Sequence, residues 1–277
     1  MADLRGKTIV ITGASRGIGR SMALKFAGDG ANLVIAAKSS EPHPKLQGTI
    51  HTVAEEVRAA GGEALAVQVD VRIEEQVQAM VEAAVQRFGG IDALVNNAGA
   101  ISLTPVEKTP VKRYDLMQEV NSRAVFVCSQ TALPYLRQAS NPHILSMAPP
   151  LHLKSGGLRD HAPYTLSKYG MTLLSLGMAE EFRKYRIAVN CLWPKTIIAT
   201  AAIEFAVGDR NTLKVCRKPE IVAEAAYRIL TAPSESLTGQ ILLDEDLLRQ
   251  SGITDFDRYA YDPDFTGRLH PDLFLDE

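Results

Sequence analysis

The stretch TGASRGIG at residues 12–19 decides how this chain folds. It follows the β-branched run TIVIT (8–12), which predicts a strand, and it opens a segment whose apolar spacing predicts a helix. Gly13, Gly17 and Gly19 allow a tight turn and a close approach of backbone to a phosphate, which the helix N-terminus would bind through its N–H groups. A purely structural turn is the alternative, but the strand–turn–helix context favours a dinucleotide.

Strand and helix patterns alternate along most of the sequence. The predicted strands lie at 8–12, 32–37, 64–71, 91–99 (with its turn), 143–147, 186–194 and 240–246, and the predicted helices at 16–30, 51–62, 74–90, 111–138 and 162–185. This alternation predicts an α/β fold, a single-domain, doubly wound parallel sheet of Rossmann type over residues 1–250. Residues 251–277 are acidic with scattered aromatics, and we expect a tail that is disordered or docked on a partner surface.

Composition narrows the class of protein. The 277 residues are 46% hydrophobic with a net charge of −2, so neither a nucleic acid nor a membrane is expected as a partner. The N-terminus lacks the features of a signal peptide, and no apolar window is long enough to cross a membrane. Cys128, Cys191 and Cys216 are odd in number and widely spaced, which favours reduced thiols of a cytoplasmic protein over a disulfide framework or a metal site.

Four further sequence features follow the glycine-rich turn in order. Asp70 comes after the third strand, where a helix N-cap is the alternative interpretation. NNAG (96–99) follows the fourth strand, and Asn121 lies in EVNSRA, where a solvated or capping asparagine is the alternative. Tyr164 and Lys168 in YTLSK are four residues apart, which places both on one face of a helix.

Taken together, TGxxxGxG, NNAG, EVNSRA and YxxxK resemble the short-chain dehydrogenase/reductase superfamily over about residues 5–246. Several longer strings narrow the resemblance to the hydroxysteroid dehydrogenase-like protein 2 subfamily. They are AAKSSEPHPKLQGTIHT, SKYGMTLLSLGMAEEF, LWPKTIIATAA and TGQILLDEDLL. The resemblance implies an NADP(H)- or NAD(H)-dependent oxidoreductase for an alcohol/carbonyl pair, with a steroid-like or acyl small molecule as substrate.

The resemblance also implies roles for individual residues. Tyr164 would be the general acid/base, Lys168 would favour its phenolate and hold the nicotinamide ribose, and Asn121 would hold a water that passes the proton to solvent. Asp70 would meet the adenine ring, and the backbone of Ile197 would meet the carboxamide. The full set expected to bind the cofactor is Gly13, Ser15, Arg16, Gly17, Ile18, Gly19, Lys38, Asp70, Val71, Asn97, Ala98, Gly99, Tyr164, Lys168, Pro194, Thr196 and Ile197.

One departure from the subfamily concerns the end of the fifth strand, HILSMAPP (143–150). Related chains have a serine before the two prolines, where it donates a hydrogen bond to the substrate oxygen. Here that position is Ala148, and Ser146 is the nearest hydroxyl that the strand offers, about 7 Å further back. His152, Ser155 and His161 are other nearby candidates.

Two functional hypotheses follow from Ala148. The first is an oxidoreductase with weakened or altered catalysis, in which Ser146 is a candidate catalytic residue. The second is a cofactor-binding sensor or scaffold with little turnover. A purely structural relative that binds no dinucleotide is the third alternative.

Two more expectations concern the cofactor and the assembly. Ala37 replaces the acid that NAD-selective relatives have at the end of the second strand, and Lys38 and Arg16 add positive charge, so NADP(H) is expected over NAD(H). The helices at 111–138 and 162–185 have more apolar residues than one buried stripe needs. We therefore expect a homodimer or homotetramer.

Overall fold

Seven short strands pair in parallel into one sheet in the order β3-β2-β1-β4-β5-β6-β7. The computed structural model describes residues 3–44, 46–153, 158–201, 203–204 and 210–275. The strands are β1 (Thr8–Thr12), β2 (Asn32–Ala37), β3 (Glu63–Gln68), β4 (Ala93–Asn96), β5 (His143–Met147), β6 (Ala188–Trp193) and β7 (Ile241–Leu243). The strand order reverses between β1 and β4, and the crevice above their carboxyl ends is where open α/β sheets bind ligands. The predicted doubly wound fold is confirmed.

Helices cover both faces of the sheet, as the alternation predicted. They are α1 (Gly17–Ala27), α2 (Ile50–Ala59), α3 (Glu74–Phe88), α4 (Val111–Gln118), α5 (Ala124–Leu136), α6 (Ala162–Phe182), α7 (Glu220–Thr231) and α8 (Asp244–Gln250). On β1, Ile9 and Ile11 pack into the core under α1, α2 and α7, whereas Val10 packs into the core under α3, α5 and α6. None of the helices that the structure describes is both long and apolar enough to cross a membrane.

The predicted long helix at 111–138 is interrupted. Between α4 and α5 lies one π-helical segment, Glu119–Arg123, and Asn121 is buried in it. A π-turn widens the helix by one residue and occurs frequently at functional sites.

Two boundaries near the C-terminal side differ from the prediction. The last strand ends at Leu243, because Asp244, Glu245 and Asp246 form the first turn of α8, where acidic side chains complement the helix dipole. Helix α7 was not predicted, although its apolar residues recur at helical spacing.

Residues 251–275 pack on their own domain, so the expectation of a disordered tail is wrong, and docking on a partner surface stays a prediction. Isolated antiparallel bridges join Ala260 to Arg217 and Pro271 to Thr196. Phe256 and Phe274 are buried. The segment therefore crosses the carboxyl-end edge of the sheet, above the residues that the sequence identifies as functional.

Candidate active site

The glycine-rich turn after β1 packs directly against the NNAG turn after β4. Gly13 and Gly17 have left-handed backbone, with φ of +68° and +55°. A Cβ atom on Gly13 would lie 2.8 Å from the Cα of Ala98, and one on Gly19 would lie 2.6 Å from both Nδ2 of Asn97 and the carbonyl oxygen of Gly13. Side chains at these two positions would push the turns apart, so glycine is needed for packing as well as for a ligand's approach.

Hydrogen bonds fix the NNAG turn to β1. The side-chain amide of Asn97 donates to the carbonyl oxygens of Thr12 (2.9 Å) and Gly13 (3.1 Å). The backbone N–H groups of Asn97 and Ala98 both donate to Oγ1 of Thr12, each at 3.1 Å. Thr12 was not singled out from the sequence, although it opens the TGxxxGxG motif. These hydrogen bonds hold the NNAG turn, which ends at Gly99, against the end of β1.

The residues present fit a dinucleotide. Among the described residues, the N-terminus of α1 has no side-chain cap and no acid in its first turn, so its N–H groups are free for a diphosphate. Ser15 is buried and Ile18 is half-buried, at either end of this turn. The Thr196 hydroxyl is buried and has no hydrogen-bond partner in the described part of the chain, so it fits a polar group of a bound ligand.

Asp70 follows β3, next to the buried Val71, and its carboxylate is already paired. It accepts from the guanidinium of Arg72 at 2.7 Å and forms an ion pair with Lys38 at 3.0 Å. The hydrogen bond from Arg72 holds the pKa of this carboxyl well below its usual range. The alternative of a helix N-cap is wrong, because Ile73 occupies the N-cap position of α3.

Arg16 holds the 38–50 loop over the glycine-rich turn. Its guanidinium donates to the carbonyl oxygens of Gln47 (3.1 Å) and Gly48 (2.8 Å). Gly48 has φ of +91° and lies so close to Ser15 that a Cβ atom would touch its carbonyl oxygen. Arg16 therefore braces the segment around Gly48 against the glycine-rich turn, to which it also brings a positive charge.

Tyr164 and Lys168 lie one turn apart on α6, both buried, above the ends of β5 and β6. The Lys168 ammonium donates to the carbonyl oxygen of Met147 at 2.6 Å and lies 4.8 Å from the centroid of the Trp193 ring. Burial lowers the pKa of Lys168 to about 8 and raises the pKa of the Tyr164 phenol above its ordinary value. The phenol is therefore neutral at physiological pH until further positive charge comes near it.

Asn121 ties three parts of the site together through its side chain. Its Oδ1 accepts from the backbone N–H of Ala100 at 2.8 Å, and its Nδ2 donates to the carbonyl oxygen of Ala100 (3.0 Å) and to Oγ of Ser167 (2.8 Å). Both amide hydrogens are thus used. Asn121 braces the NNAG loop against α6, and Ser167, which sequence reasoning missed, is the helix partner that completes the brace.

The candidates for a donor to the substrate oxygen are not gathered at Tyr164. Ser146 is buried and receives a hydrogen bond from Ser175 at 2.9 Å, two turns of α6 beyond Lys168. The backbone N–H and carbonyl of His152 bond the Tyr169 hydroxyl.

The two remaining candidates for this donor are His161 and Ser155. The buried Nε2 of His161 has no partner among the described residues, and burial lowers the pKa of this histidine. Ser155 lies outside the described residues. Ala148 is buried in the apolar core between the sheet and α6.

The WPKT segment after β6 pairs with the C-terminal segment. The N–H of Ile197 donates to the carbonyl oxygen of His270 at 3.0 Å, and its carbonyl accepts from the N–H of Arg217 at 3.0 Å. Both backbone groups of Ile197 are thus bonded within the protein, and the expectation that they meet the carboxamide stays a prediction. Pro194 and Lys195 precede it, and the N–H of Asp272 donates to Lys195 O at 3.1 Å.

Comparisons with known proteins identify the family and agree with the fold. The family model described as short chain dehydrogenase matches residues 7–207. Hydroxysteroid dehydrogenase-like protein 2 of Danio rerio is 55% identical over 273 residues, 99% of this chain and 65% of that protein, so the chain spans less than two thirds of this relative. The crystal structure of a protein from Xanthomonas campestris is 53% identical with a TM-score of 0.95, covering 99% of this chain and 100% of that one.

Two more distant structures contain nicotinamide cofactors. A metagenomic short-chain oxidoreductase in complex with NADP is 27% identical, with a TM-score of 0.71 over 87% of this chain and 97% of that one. A 7α-hydroxysteroid dehydrogenase complexed with NADH and 7-oxo glycochenodeoxycholic acid is 26% identical, with a TM-score of 0.76 over 87% and 93%. Structural neighbours therefore use either nicotinamide cofactor.

Proposed function

The chain belongs to the short chain dehydrogenase family, and from this premise we propose that it is a cytoplasmic, NADP(H)-dependent oxidoreductase for the alcohol/carbonyl pair of an apolar substrate. The observation that supports this most is the buried Tyr164–Lys168 pair on α6, at the same edge of the sheet as the glycine-rich turn. The name of the relatives and the bile-acid ligand of one neighbour support a steroid-like or acyl substrate. The three buried free cysteines support a reducing compartment.

The proposed chemistry assigns proton transfer to the protein. The nicotinamide, when bound, supplies the hydride transfer. Tyr164 donates its proton to the carbonyl oxygen in reduction and removes the hydroxyl proton in oxidation. Burial raises its pKa, which keeps it a proton donor for reduction. We expect the positive charge of Lys168, one turn along α6, to favour the phenolate needed for oxidation. Asn121 and Ser167 keep α6 at a fixed distance from the NNAG loop.

A panel of alcohols and ketones followed at the nicotinamide absorbance tests this function. We expect turnover of apolar substrates with NADP(H). The hypothesis of a sensor or scaffold predicts dinucleotide binding without turnover across the panel. The hypothesis of a structural relative predicts no dinucleotide binding at all, which calorimetry with each dinucleotide measures directly.

Ala148→Ser is expected to raise turnover by about tenfold or more, with unchanged dinucleotide affinity. Position 148 follows Met147, whose carbonyl holds Lys168, but Ala148 is buried in the core between the sheet and α6, so the gain requires the strand end to turn the new hydroxyl toward the site. A donor to the substrate oxygen acts mainly on the transition state, where negative charge grows. Steady-state kinetics on one accepted substrate measures the gain. No gain from Ala148→Ser, together with a loss from Ser146→Ala, would assign the donor to Ser146.

NADP is expected to bind more tightly than NAD, and Lys38→Ala to reduce that preference by about tenfold. Lys38 follows β2, is largely exposed, and offers its ammonium to a 2′-phosphate in place of Asp70. Isothermal titration of both dinucleotides measures the ratio, and the exposed Lys184→Ala is the matched control. Tighter binding of NAD than NADP by the parent chain would contradict this prediction.

The chain is expected to form a homodimer or homotetramer. Leu166 and Leu173 lie seven residues apart on one face of α6 and are 55% and 59% exposed, and Phe126 of α5 is 47% exposed. Exposed apolar residues grouped in this way are typical of interfaces. Leu173→Asp should shift the mass measured by light scattering toward the 30.1 kDa monomer. Leu153→Asp is the control, because Leu153 is exposed but lies outside these helices. A monomeric parent chain would contradict the proposal.

A further inference from the structure

The side chain of Phe274 lies beside the general acid/base proposed above. Its ring centroid is 5.9 Å from that of Tyr164, 5.6 Å from that of Tyr169 and 5.5 Å from that of Trp193. Met117 completes this buried cluster. These distances are those of packed aromatic pairs. Phe274 is only 3% exposed, so its ring is enclosed by the site.

Among the described residues, the ring of Phe274 packs against the ring of Tyr164 and fills the space beside it. Tyr164 is 7% exposed, and a general acid/base must come within hydrogen-bond distance of the substrate oxygen. A substrate group that packs against this side of the Tyr164 ring must therefore displace the ring of Phe274 and take over its contacts.

The walls around Phe274 indicate what kind of group fits there. Tyr169 and Trp193 present ring surfaces, and their polar atoms are already bonded. The Tyr169 hydroxyl donates to the carbonyl oxygen of His152 at 2.7 Å, and Nε1 of Trp193 donates to Asp272 at 2.7 Å. The wall offered to the ring is thus apolar and flat, which suits another ring better than a flexible chain.

Three backbone hydrogen bonds join residues 270–272, just before Phe274, to the rest of the domain. The N–H of Ile197 donates to the carbonyl oxygen of His270, the N–H of His270 to that of Val215, and the N–H of Asp272 to that of Lys195. Burial raises the pKa of Asp272 to about 6, with the hydrogen bond from the Trp193 N–H and the positive charge of Lys168 acting in the opposite direction. Because the pKa of Asp272 is raised when the segment is docked, the protonated carboxyl favours docking at low pH, and this contribution is lost as the pH rises to about 6. The C-terminal segment is therefore docked less strongly at neutral pH.

We propose that the ring of Phe274 occupies a ring-binding subsite of the substrate pocket, and that the substrate has an aromatic or alicyclic ring next to its carbinol or carbonyl carbon. This inference rests on the proposed function and makes its substrate class specific. Phe274 is then a specificity-determining residue, because it competes with the substrate ring for one site. Such competition lowers the apparent affinity for the substrate in proportion to the fraction of molecules in which the subsite is open.

Ligand binding, measured without turnover, tests the proposal. The emission of Trp193 reports binding, because Trp193 is the single tryptophan of the chain and lies in the subsite wall. Phenyl methyl carbinol and a straight-chain secondary octanol, matched in carbon number, are titrated against the full chain while the emission of Trp193 is followed. Phe274→Ala should bind the phenyl carbinol about tenfold or more tightly than the parent and the octanol with little change. Phe274→Leu, which keeps an apolar anchor, should gain less.

Tyr261→Ala is the matched control, since Tyr261 is an aromatic residue of the same segment but is 46% exposed. It should change neither affinity. Equal gains for ring and chain, or no gain for the phenyl carbinol in both Phe274 variants, would overturn the subsite. A gain in binding without any turnover at the nicotinamide absorbance would leave the subsite standing and refute the proposed oxidoreductase activity.

Discussion

Tyr164→Phe is expected to lower turnover by about a thousandfold or more, while dinucleotide affinity stays within about twofold. The substitution removes only the hydroxyl of a side chain that is otherwise buried on α6. The ring keeps its packing against Phe274. Steady-state kinetics on an accepted substrate and calorimetry with NADP measure the two quantities.

Tyr185→Phe is the matched control, because Tyr185 lies just beyond the far end of α6 and packs against Phe182. It should leave both turnover and affinity unchanged. Turnover that survives in Tyr164→Phe would show that another group exchanges the proton, and His161, three residues earlier with an unpartnered ring nitrogen, would then be the next residue to replace.

Gly19→Ala is expected to weaken dinucleotide binding by more than about a hundredfold and to destabilise the fold by about 1–3 kcal/mol. The new methyl group would lie 2.6 Å from the carbonyl oxygen of Gly13 and 2.9 Å from the Cα of Ala14. Both are backbone atoms of the turn that would cradle the diphosphate, and backbone cannot rotate out of the way. Calorimetry with NADP and thermal unfolding monitor the two losses.

Gly28→Ala serves as the control at the other end of the same helix. Gly28 has right-handed backbone with φ of −60°, and a Cβ atom there would meet Lys25 O at an ordinary 3.6 Å. Alanine should therefore leave affinity unchanged and raise stability by about 0.4–1 kcal/mol through the unfolded state. If Gly19→Ala binds NADP as tightly as Gly28→Ala, the glycine-rich turn is structural only.

Several features of the fold and of the site follow from short stretches of sequence and could therefore be predicted. The alternation of β-branched runs with apolar periods near 3.6 reflects which faces of each element are buried, so it predicted the order of strands and helices. The positive φ of Gly13 and Gly17 is a local backbone requirement. The four-residue spacing of Tyr164 and Lys168 fixes their relation once the segment is helical.

Helix boundaries were less accessible to sequence reasoning. Residues 240–246 contain a strand that continues into a helix, and the apolar run in QILLDED fits both. The acidic first turn from Asp244 was the available signal for the helix start. The π-turn at Asn121 has no sequence signature of its own, because it depends on the contacts with Ala100 and Ser167 that hold it open.

The sequence by itself determined the sheet, the glycine-rich turn and the tyrosine–lysine pair, because each of these follows from local periodicity and backbone geometry. Only the tertiary structure decided that Ser146 bonds Ser175, and that the segment after residue 250 returns over the sheet edge to place Phe274 against Tyr164. These contacts join residues far apart along the chain, and their partners are chosen by the path of the backbone and the space left in the core. No pattern of neighbouring residues encodes that choice.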